Sequence, residues 1–262
     1  MTPSAARPIA LITGAARRIG RTIALDLAHA GWSIGLHYRS GQTEAEDVAT
    51  EIRGMGGEVA ALHCDLADAA DVATLLPRCV AALGAPRCLV NNASVFEFDE
   101  LATLKPEGWA RHLAVNLTAP VMLSQAFAKV LPVDQPGNII NIIDQRVWAS
   151  TPEFFSYSLS KSALWSATRM LAQALSPRIR VNAIGPGPAL RSIHQKKEEF
   201  DAEVASTILK RGTSPREIAA AVRFILDASA MTGQMIALDG GQHLRWFSEV
   251  TPGAPHLPPD SR

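Results

Sequence analysis

Tyr157 and Lys161 stand four positions apart near the middle of the chain, and together they could move a proton. They lie in the segment FFSYSLSKSALWSATRMLAQAL, whose apolar spacing predicts a helix, so both side chains face the same way. A phenol can donate its proton to a substrate, and a nearby ammonium favours the phenolate, so we expect a lowered pKa for Tyr157. Such a pair occurs more often on a surface than in an active site, so its meaning depends on the rest of the chain.

A glycine-rich segment near the N-terminus has the residue types of a phosphate-binding turn. Residues 13–20 read Thr-Gly-Ala-Ala-Arg-Arg-Ile-Gly, between a predicted strand and a predicted helix. This order directs backbone N–H groups and the positive end of a helix towards a pyrophosphate. The middle glycine of a GxxxGxG spacing is replaced by Arg18, so the glycines alone are a weak signal. The position in the first strand-to-helix turn is what favours a dinucleotide site.

The end of the second predicted strand indicates which dinucleotide is bound. An Asp or Glu there would bind the ribose hydroxyls of NAD, but this chain reads His37-Tyr38-Arg39-Ser40, without a carboxylate. Arg39 and Ser40 can instead hydrogen-bond a 2′-phosphate, and the two arginines of the glycine-rich segment add positive charge. We therefore predict NADP(H) as the cofactor. The alternative is that Arg39 is a solvated surface arginine.

Short apolar runs alternate with helix-period segments along the whole chain, and these elements must position the residues above. The runs that read as strands are residues 9–13, 33–38, 59–64, 88–91, 138–143, 180–184 and 235–238. Such alternation without a linker is typical of one parallel sheet covered by helices on both faces. We therefore predict an α/β protein with a single-domain, Rossmann-type doubly wound fold, in which helices flank a seven-stranded parallel sheet.

Some boundaries can be predicted from capping residues. Gly31 stands where the first helix should end, and Ser214-Pro215-Arg216-Glu217 offers an N-cap serine, a proline at the first helical position and a capping-box glutamate. The predicted domain covers residues 1–250. Residues 251–262 hold four prolines and are expected to form an extended or disordered tail, to which we assign no function.

Residues 185–211 are far longer than the usual connection after a strand. We predict that they form a lid over the substrate, and they are called the lid segment below. Arg146 and Trp148 are expected to line the same mouth from the opposite side.

Composition argues against several classes of protein. Lys plus Arg number 25 and Asp plus Glu number 25, so we expect no general attraction to nucleic acid or to an anionic membrane. Cys64, Cys79 and Cys88 lack CxxC spacing and lie in apolar runs, which indicates buried thiols in a reducing compartment. The histidines pair with no carboxylate at ligand spacing, so no metal is predicted. We find no secretory leader and no run of about 18 apolar residues, and therefore expect a cytoplasmic protein.

Further residues after the fourth and sixth predicted strands complete the group of candidate site residues. Asn91-Asn92-Ala93 closes the fourth strand, Asn116 lies on the next helix, and Pro186-Gly187 follows the sixth strand. With the glycine-rich segment and the Tyr157/Lys161 pair, the chain from residue 9 to about residue 241 resembles the short-chain dehydrogenase/reductase family.

The family resemblance implies a role for each of these residues. Tyr157 would be the general acid, Lys161 would bind the nicotinamide ribose, and Asn116 would hold a proton-relay water. Asn92 would support the cofactor pocket, and Pro186-Gly187 would lie beside the nicotinamide carboxamide. The resemblance also implies a homotetramer, built through the helices that carry Asn116 and Tyr157.

Asp144, thirteen residues before Tyr157, departs from the family pattern. The family usually has a serine at this position, which binds a substrate carbonyl or alcohol. A carboxylate repels a developing alkoxide but accepts hydrogen bonds from N–H groups, so an aminopyrimidine ring suits it better. With TGAARRIG, LHYRS and NNASVF, Asp144 makes the chain resemble the pteridine reductases, including the dihydromonapterin reductase type. That resemblance implies that Arg17 contacts the pterin and the cofactor phosphates, that Ser94 lines the site, and that Phe96 stacks the pterin against the nicotinamide. The alternative is that Phe96 is a core residue and Asp144 a buried structural carboxylate.

Three sets of site residues follow from these arguments. The predicted catalytic residues are Asp144, Tyr157, Lys161 and Asn116. The residues predicted to bind the cofactor are Gly14, Arg17, Arg18, Ile19, Gly20, His37, Tyr38, Arg39, Ser40, Asp65, Leu66, Asn92, Ala93, Ser94, Tyr157, Lys161, Pro186 and Gly187. The residues predicted to bind the substrate are Arg17, Ser94, Phe96, Asp144 and Tyr157.

The leading functional hypothesis is NADPH-dependent reduction of a C=N bond in a pterin, from dihydropterin to tetrahydropterin, with dihydrofolate as a further candidate substrate. NADPH would give a hydride to a ring carbon, and Tyr157 with Asp144 would give a proton to the adjacent nitrogen. One alternative is a short-chain reductase of a ketone or another carbonyl compound, which Asp144 disfavours. Another is a non-catalytic NADP-binding sensor, which the presence of Tyr157, Lys161 and Asn116 together disfavours.

Overall fold

In the part of the chain that the structure describes, seven parallel strands form one sheet. The computed structural model describes residues 7–192 and 195–244. The strands are β1 (Ile9–Ile12), β2 (Ser33–Tyr38), β3 (Val59–His63), β4 (Cys88–Asn91), β5 (Gly137–Ile142), β6 (Ile179–Pro186) and β7 (Met235–Leu238). They lie in the order β3-β2-β1-β4-β5-β6-β7, and every neighbouring pair is parallel. The predicted α/β doubly wound fold is confirmed. The predicted tail at residues 251–262 and the ends of the predicted domain lie outside the described residues.

Helices connect the strands, because a parallel pair needs a long crossover. They are α1 (Arg18–His29), α2 (Gln42–Gly54), α3 (Ala69–Leu83), α4 (Pro106–Leu113), α5 (Ala119–Val130), α6 (Phe155–Leu175), α7 (Lys197–Ser206) and α8 (Pro215–Asp227). A turn of π-helix, Ala114–Thr118, joins α4 to α5, and 3₁₀ turns occur at Gln145–Val147 and Gln242–Leu244.

Side chains of each strand alternate between the two faces of the sheet and meet a helix layer on both. On β1, Ile12 belongs to a buried cluster with Ile23 of α1. Its neighbour Leu11 belongs to the cluster on the other face, with Leu75 of α3 and Phe127 of α5. Because both faces are covered, the strands are apolar almost throughout, as the sequence indicates.

The strand order reverses between β1 and β4. From β1 the chain moves outward to β2 and β3, and it then returns to β4 on the other side of β1. The helices that follow β1 and β4 lie on opposite faces, so the carboxyl ends of these two strands border a crevice. The glycine-rich turn follows β1 and Asn92 follows β4, so the fold brings these two predicted parts of the site together.

The predicted ends of the strands agree with the observed ones to within two residues. Strand β6 is longer than predicted, because residues 185–186 still pair with residues 237–238 of β7. The predicted helix ends are confirmed. Gly31 follows α1 with φ +86°, and Ser214 caps α8 by accepting a hydrogen bond from the Glu217 N–H at 3.2 Å.

The continuous helical run Pro106–Val130 is long and apolar enough to pass for a membrane span by length and composition. In this fold it packs on one face of the sheet, where Val115, Leu123 and Phe127 belong to the core. It therefore has the character of a core helix. The three cysteines are buried and free, as predicted. Within residues 7–192 and 195–244 no group of three or more metal-ligating side chains occurs.

Candidate active site

The turn after β1 has the backbone shape of a phosphate-binding loop. Gly14 has φ +65°, which glycine adopts without strain, and its N–H donates to His37 Nδ1 at 2.9 Å. Gly20 lies so close to the turn that a Cβ atom there would collide with Gly14 O and Asn92 Nδ2. Helix α1 begins at Arg18, so its unpaired N-terminal N–H groups lie at this turn. These features fit the pyrophosphate of a dinucleotide.

The two arginines of the turn make different contacts. Arg18 replaces the middle glycine of the pattern and adopts φ +54°, in the left-handed region that favours glycine. Its guanidinium donates to the backbone oxygens of Leu190 and Arg191 in the lid segment, both at 3.0 Å. Arg17 pairs instead with Glu44 of α2 at 2.5 Å. Arg17 is therefore engaged at α2, and its predicted contact with the substrate stays a prediction.

A buried histidine and an exposed arginine and serine stand at the end of β2. His37 Nδ1 accepts from the Gly14 N–H, so Nε2 carries the hydrogen and donates to Cys64 O at 3.0 Å. Burial lowers the pKa of His37 to about 4, so the ring stays neutral near pH 7. It supports the turn from behind, and its predicted contact with the cofactor stays a prediction. Arg39 and Ser40 are exposed beyond it, which suits a 2′-phosphate.

The neighbouring strand ends at the same edge of the sheet. Asp65 and Leu66 follow β3, and the Asp65 N–H donates to Asp71 Oδ2 at 2.6 Å. The Tyr38 ring packs edge-on against His63, with 5.5 Å between ring centroids. Tyr38, Asp65 and Leu66 thus lie together at the carboxyl edge of β2 and β3, where the sequence predicts cofactor contacts.

Asn92 joins the end of β4 to the glycine-rich turn. Thr13 Oγ1 accepts from the backbone N–H groups of Asn92 and Ala93, at 2.9 and 3.0 Å. Asn92 Nδ2 donates to Thr13 O at 2.8 Å. These bonds fix the two walls of the crevice relative to each other, which gives a geometric basis for the supporting role predicted for Asn92.

Asn116 lies inside the π-helical turn and is fully buried. Its Oδ1 accepts from the Val95 N–H at 2.8 Å and from Ser94 Oγ at 3.2 Å. Its Nδ2 donates to Val95 O and to Ser160 Oγ, both at 3.0 Å. The side-chain amide is therefore fully used inside the protein, where it braces the loop after β4 against α6. The relay water expected of Asn116 stays a prediction.

Tyr157, Asp144 and Lys161 converge where β5 ends and α6 begins. The Tyr157 hydroxyl donates to Asp144 Oδ2 at 2.8 Å, and Asp144 Oδ1 accepts from the Arg146 N–H at 2.8 Å. Lys161 Nζ donates to Ile142 O at 2.9 Å and lies 5.8 Å from the centroid of the Tyr157 ring. The fold thus brings the predicted proton donor, its carboxylate partner and the lysine into one cluster.

Burial controls the protonation states in this cluster. It raises the pKa of Tyr157 well above the ordinary value, and the Asp144 carboxylate raises it further. The lowered pKa expected from the Lys161 ammonium is therefore wrong, because desolvation and a carboxylate in direct contact outweigh it. Burial also raises the pKa of Asp144 and lowers that of Lys161 to about 8. The site holds a phenol that keeps its proton beside a carboxyl group that is more easily protonated than usual.

Phe96 forms an aromatic wall beside Tyr157. The two rings meet edge-on with 4.7 Å between centroids, and Phe96 also stacks on Phe154 at 4.4 Å. Because Phe96 is 36% exposed, the alternative that it is a core residue is wrong. Phe154 has φ +52°, and the Arg146 guanidinium lies 5.0 Å from its ring centroid. We did not predict Phe154 from the sequence, although aromatic residues next to Tyr157 were a usable signal.

The lid segment begins at the end of β6. The Gly187 N–H donates to Leu238 O at 3.0 Å, and a Cβ at Gly187 would lie 2.7 Å from Asp239 Cα, so the Pro186-Gly187 turn needs glycine. Helix α7 occupies the later part of the segment and has no buried residue.

The predicted mouth residues contact other parts of the site. Trp148 is exposed and meets His243 of the last 3₁₀ turn edge-on, with 4.9 Å between ring centroids. Arg146 Nη1 donates to Thr151 Oγ1 at 3.3 Å. The 3₁₀ turn after β5 thus packs against the 3₁₀ turn Gln242–Leu244, and the position of Arg146 and Trp148 at the mouth of the site stays a prediction.

Comparison with known proteins identifies the class. The family model described as enoyl-(acyl carrier protein) reductase matches residues 14–243. A short-chain type dehydrogenase/reductase of Picea abies is 33% identical over 248 residues, covering 89% of this chain and 92% of the relative. A 3-oxoacyl-[acyl-carrier-protein] reductase of Synechocystis is 32% identical over 239 residues, covering 89% and 96%. The chain therefore belongs to the short-chain dehydrogenase/reductase family and is an oxidoreductase of that family.

Solved structures give more specific likenesses. FolM alternative dihydrofolate reductase 1 of Brucella canis, in complex with NADP, is 47% identical with a TM-score of 0.90, and the match covers 94% of this chain and 97% of that one. A blue fluorescent protein from a metagenomic library, in complex with NADPH, is 32% identical with a TM-score of 0.85, covering 90% and 97%. Both were crystallised with the cofactor that the sequence predicts for this chain.

Proposed function

We propose that this protein is an NADPH-dependent reductase of a C=N bond in a pterin, with a dihydropterin as substrate and a tetrahydropterin as product. The cofactor is NADP(H), because Gly14 and Gly20 allow the tight turn that leads into the N-terminus of α1, where a pyrophosphate can bind, and Arg39 and Ser40 can bind a 2′-phosphate. Lys161 would hold the nicotinamide ribose. When bound, NADPH supplies the hydride that the ring carbon of the C=N bond receives.

The observation that carries the proposal is the hydrogen bond from the Tyr157 hydroxyl to Asp144 Oδ2. A serine at position 144 would donate to a substrate oxygen, whereas a carboxylate offers only acceptors unless it is protonated. A developing alkoxide would therefore face a negative charge. The 2-amino group and ring N–H groups of a pterin are donors, and they match the free lone pairs of this carboxylate.

The protonation states suit Tyr157 as the acid. Its raised pKa keeps the proton on the phenol until a ring nitrogen of the substrate takes it. Loss of that proton beside the Asp144 carboxylate is unfavourable, so Asp144 first takes up a proton from solvent in this mechanism. The hydrogen bond then reverses: Asp144 gives its proton to the Tyr157 oxygen as Tyr157 gives its own to the ring nitrogen, and the other Asp144 oxygen still accepts from substrate N–H groups. The raised pKa of Asp144 favours this relay, which leaves a neutral phenol and a carboxylate.

The binding surface also suits a flat heterocycle. The partly exposed ring of Phe96 stands beside Tyr157 and is backed by Phe154, so a planar substrate can lie against it within reach of the phenol. The likeness to FolM alternative dihydrofolate reductase 1 supports the same substrate class and makes dihydrofolate a further candidate. Closure of the lid segment over the substrate, a homotetramer and a cytoplasmic location belong to the same proposal.

A carbonyl substrate is the second candidate, because the curated relatives include 3-oxoacyl-[acyl-carrier-protein] reductases. The test follows NADPH oxidation by the purified protein with dihydrobiopterin, dihydromonapterin and dihydrofolate, beside a 3-oxoacyl thioester, simple ketones and an NADH control. We expect turnover of at least one pterin with NADPH and little with NADH. Turnover of carbonyl compounds alone would replace the pterin assignment, and tight NADPH binding without any turnover would favour the non-catalytic sensor.

Substitution of Asp144 tests whether its carboxylate is required for pterin reduction. We expect Asp144→Ser to lower pterin turnover by about a hundredfold while the Kd for NADPH changes little. Asp134→Ser, at an exposed aspartate in the loop before β5, is the matched control and should retain the wild-type rate. Pterin turnover that is unchanged in Asp144→Ser would remove Asp144 from the mechanism.

A further inference from the structure

The helix that carries Tyr157 is capped by a residue from another part of the chain. Its own N-cap residue, Phe154, has a left-handed backbone and makes no capping hydrogen bond with its side chain. Asp99, in the loop after β4, takes over this role. The Phe155 N–H donates to Asp99 O at 3.1 Å, and the Ser156 N–H donates to Asp99 Oδ1 at 3.1 Å. A carboxylate at this position also interacts favourably with the positive end of the helix.

The same carboxylate belongs to a buried hydrogen-bond network. Ser156 Oγ donates to Asp99 Oδ2, and Ser156 Oγ lies 3.0 Å from His112 Nδ1. The Glu97 N–H donates to His112 Nε2 at 3.3 Å, so the ring hydrogen is on Nδ1, which points to Ser156 Oγ and to Gly108 O. Asp99, His112 and Ser156 are between 0 and 9% exposed. The network therefore joins the loop after β4, helix α4 and the first turn of α6.

This network lies next to the proton donor. Tyr157 directly follows Ser156, and its ring contacts Phe96, which lies on the same loop as Asp99. The loop thus holds Tyr157 in two ways: it fixes the first turn of α6 through Asp99, and it packs against the phenol ring through Phe96. Such constraints matter for the bond from the Tyr157 hydroxyl to Asp144, since a displacement of about 1 Å can cost about a hundredfold in rate.

We propose that Asp99 is a positioning residue for Tyr157: by capping α6 from the loop after β4, it fixes the Tyr157 hydroxyl against Asp144 and couples this contact to the loop that carries Ser94 and Phe96. The inference rests on the proposed function only in that Tyr157 must be the proton donor. It does not depend on whether the substrate is a pterin or a carbonyl compound.

The kinetic test compares Asp99→Ala and Asp99→Asn with Asp68→Ala. Asp68 is a matched control, because it caps α3 by accepting from the Ala70 N–H at 2.8 Å. Both alanine variants should lower the Tm. Only Asp99→Ala should also lower kcat, by about tenfold or more, with the Kd for NADPH unchanged. Asp99→Asn keeps an acceptor for the Ser156 N–H and should recover part of the lost kcat.

A second measurement needs no substrate. The chain has two tyrosines, Tyr38 and Tyr157, so in a Tyr38→Phe background the ultraviolet absorbance of tyrosinate reports Tyr157 alone. Burial and contact with Asp144 raise the pKa of Tyr157, so release of the ring in Asp99→Ala should move its titration back towards about pH 10. Asp68→Ala should leave the titration where it is in the parent.

The outcomes separate the two proposals. If a carbonyl compound is reduced instead of a pterin, kcat for that compound tests the role of Asp99 equally well. If no compound is reduced, the titration of Tyr157 alone tests whether Asp99 positions it. Equal losses of Tm in Asp99→Ala and Asp68→Ala, with kcat and the Tyr157 titration unchanged in both, would make Asp99 a cap that contributes only stability. If Asp99→Ala does not fold, Ser156→Ala removes only the hydroxyl of the network and is measured in the same two ways.

Discussion

Tyr157 and Asp144 come from different elements, and the hydroxyl of the first donates to Oδ2 of the second at 2.8 Å. Asp144 follows β5 and Tyr157 lies in the first turn of α6, so the bond also joins the two ends of the connection between them. The pKa values of both groups are raised, which is the combination that a proton relay requires. Asp144 also accepts from the Arg146 N–H, as a structural carboxylate would, but its second oxygen is bound to the expected acid.

Removal of the Tyr157 hydroxyl tests this pairing. Tyr157→Phe should lower turnover by about two orders of magnitude or more, because the proton donor is lost, while NADPH affinity stays nearly the same. Single-turnover rates and the Kd for NADPH, measured on the same preparation, check both parts. A variant that keeps the wild-type rate would take Tyr157 out of the mechanism.

We propose that the exposed Arg39, which follows β2, selects NADPH over NADH. Arg39→Ala should weaken NADPH binding by roughly tenfold to a hundredfold, because a charge-assisted hydrogen bond to the 2′-phosphate is lost. Binding of NADH should not change. Arg53→Ala on α2 removes the same charge from an exposed arginine that pairs with Glu46, and it serves as the control. Equal weakening in both variants would mean that general electrostatic attraction, not Arg39, selects NADPH.

The sheet could be predicted from the sequence because its signal is local. Apolar runs of four to eight residues between helix-period segments are compatible with few structures other than buried strands. All seven strands were therefore found, with errors of at most two residues at their ends. The switch between β1 and β4 then places Gly14 and Asn92 at one crevice, and the four-residue spacing places Tyr157 and Lys161 on the same side of α6.

Other parts of the site depend on contacts that local spacing does not contain. Asp99 caps a helix that begins 56 residues later, and Arg18 reaches carbonyl groups more than 170 residues away. The pKa of Tyr157 was predicted in the wrong direction, because the sequence shows the Lys161 charge but neither the burial of the phenol nor its contact with Asp144. Tertiary packing decides each of these, and a single sequence does not reveal it.

The buried His37 predicts a dependence of stability on pH. Its pKa is about 4 in the folded protein and 6.5 in an ordinary environment, so the unfolded chain takes up a proton first as the pH falls. The free energy of unfolding should therefore drop by about 3 kcal/mol from this group as the pH falls from about 7.5 to about 4, and it should not change on this account at higher pH.

Urea denaturation at a series of pH values measures this effect. His37→Gln offers Gly14 an uncharged acceptor that does not titrate, so the variant should lose less stability than wild type across the same interval. The difference between the two stability curves gives the contribution of His37 separately from that of carboxylates that titrate in the same pH range. Parallel curves for wild type and variant would show that the ring can be protonated without loss of the fold.

Arg18 links the glycine-rich turn to the lid segment, and two substitutions separate its side chain from its backbone. Arg18→Ala and Arg18→Gly both remove the hydrogen bonds to Leu190 and Arg191, so amide exchange across residues 186–192 should accelerate and KM for the substrate should rise several-fold. Only glycine relieves the left-handed backbone at φ +54°, so Arg18→Gly should be more stable than Arg18→Ala by about 1 kcal/mol. Faster exchange with equal stability of the two variants would confine the role of Arg18 to its guanidinium. Unchanged exchange in both would show that the lid segment is held by other contacts, and an unchanged KM would show that the replacement of the middle glycine does not affect substrate binding.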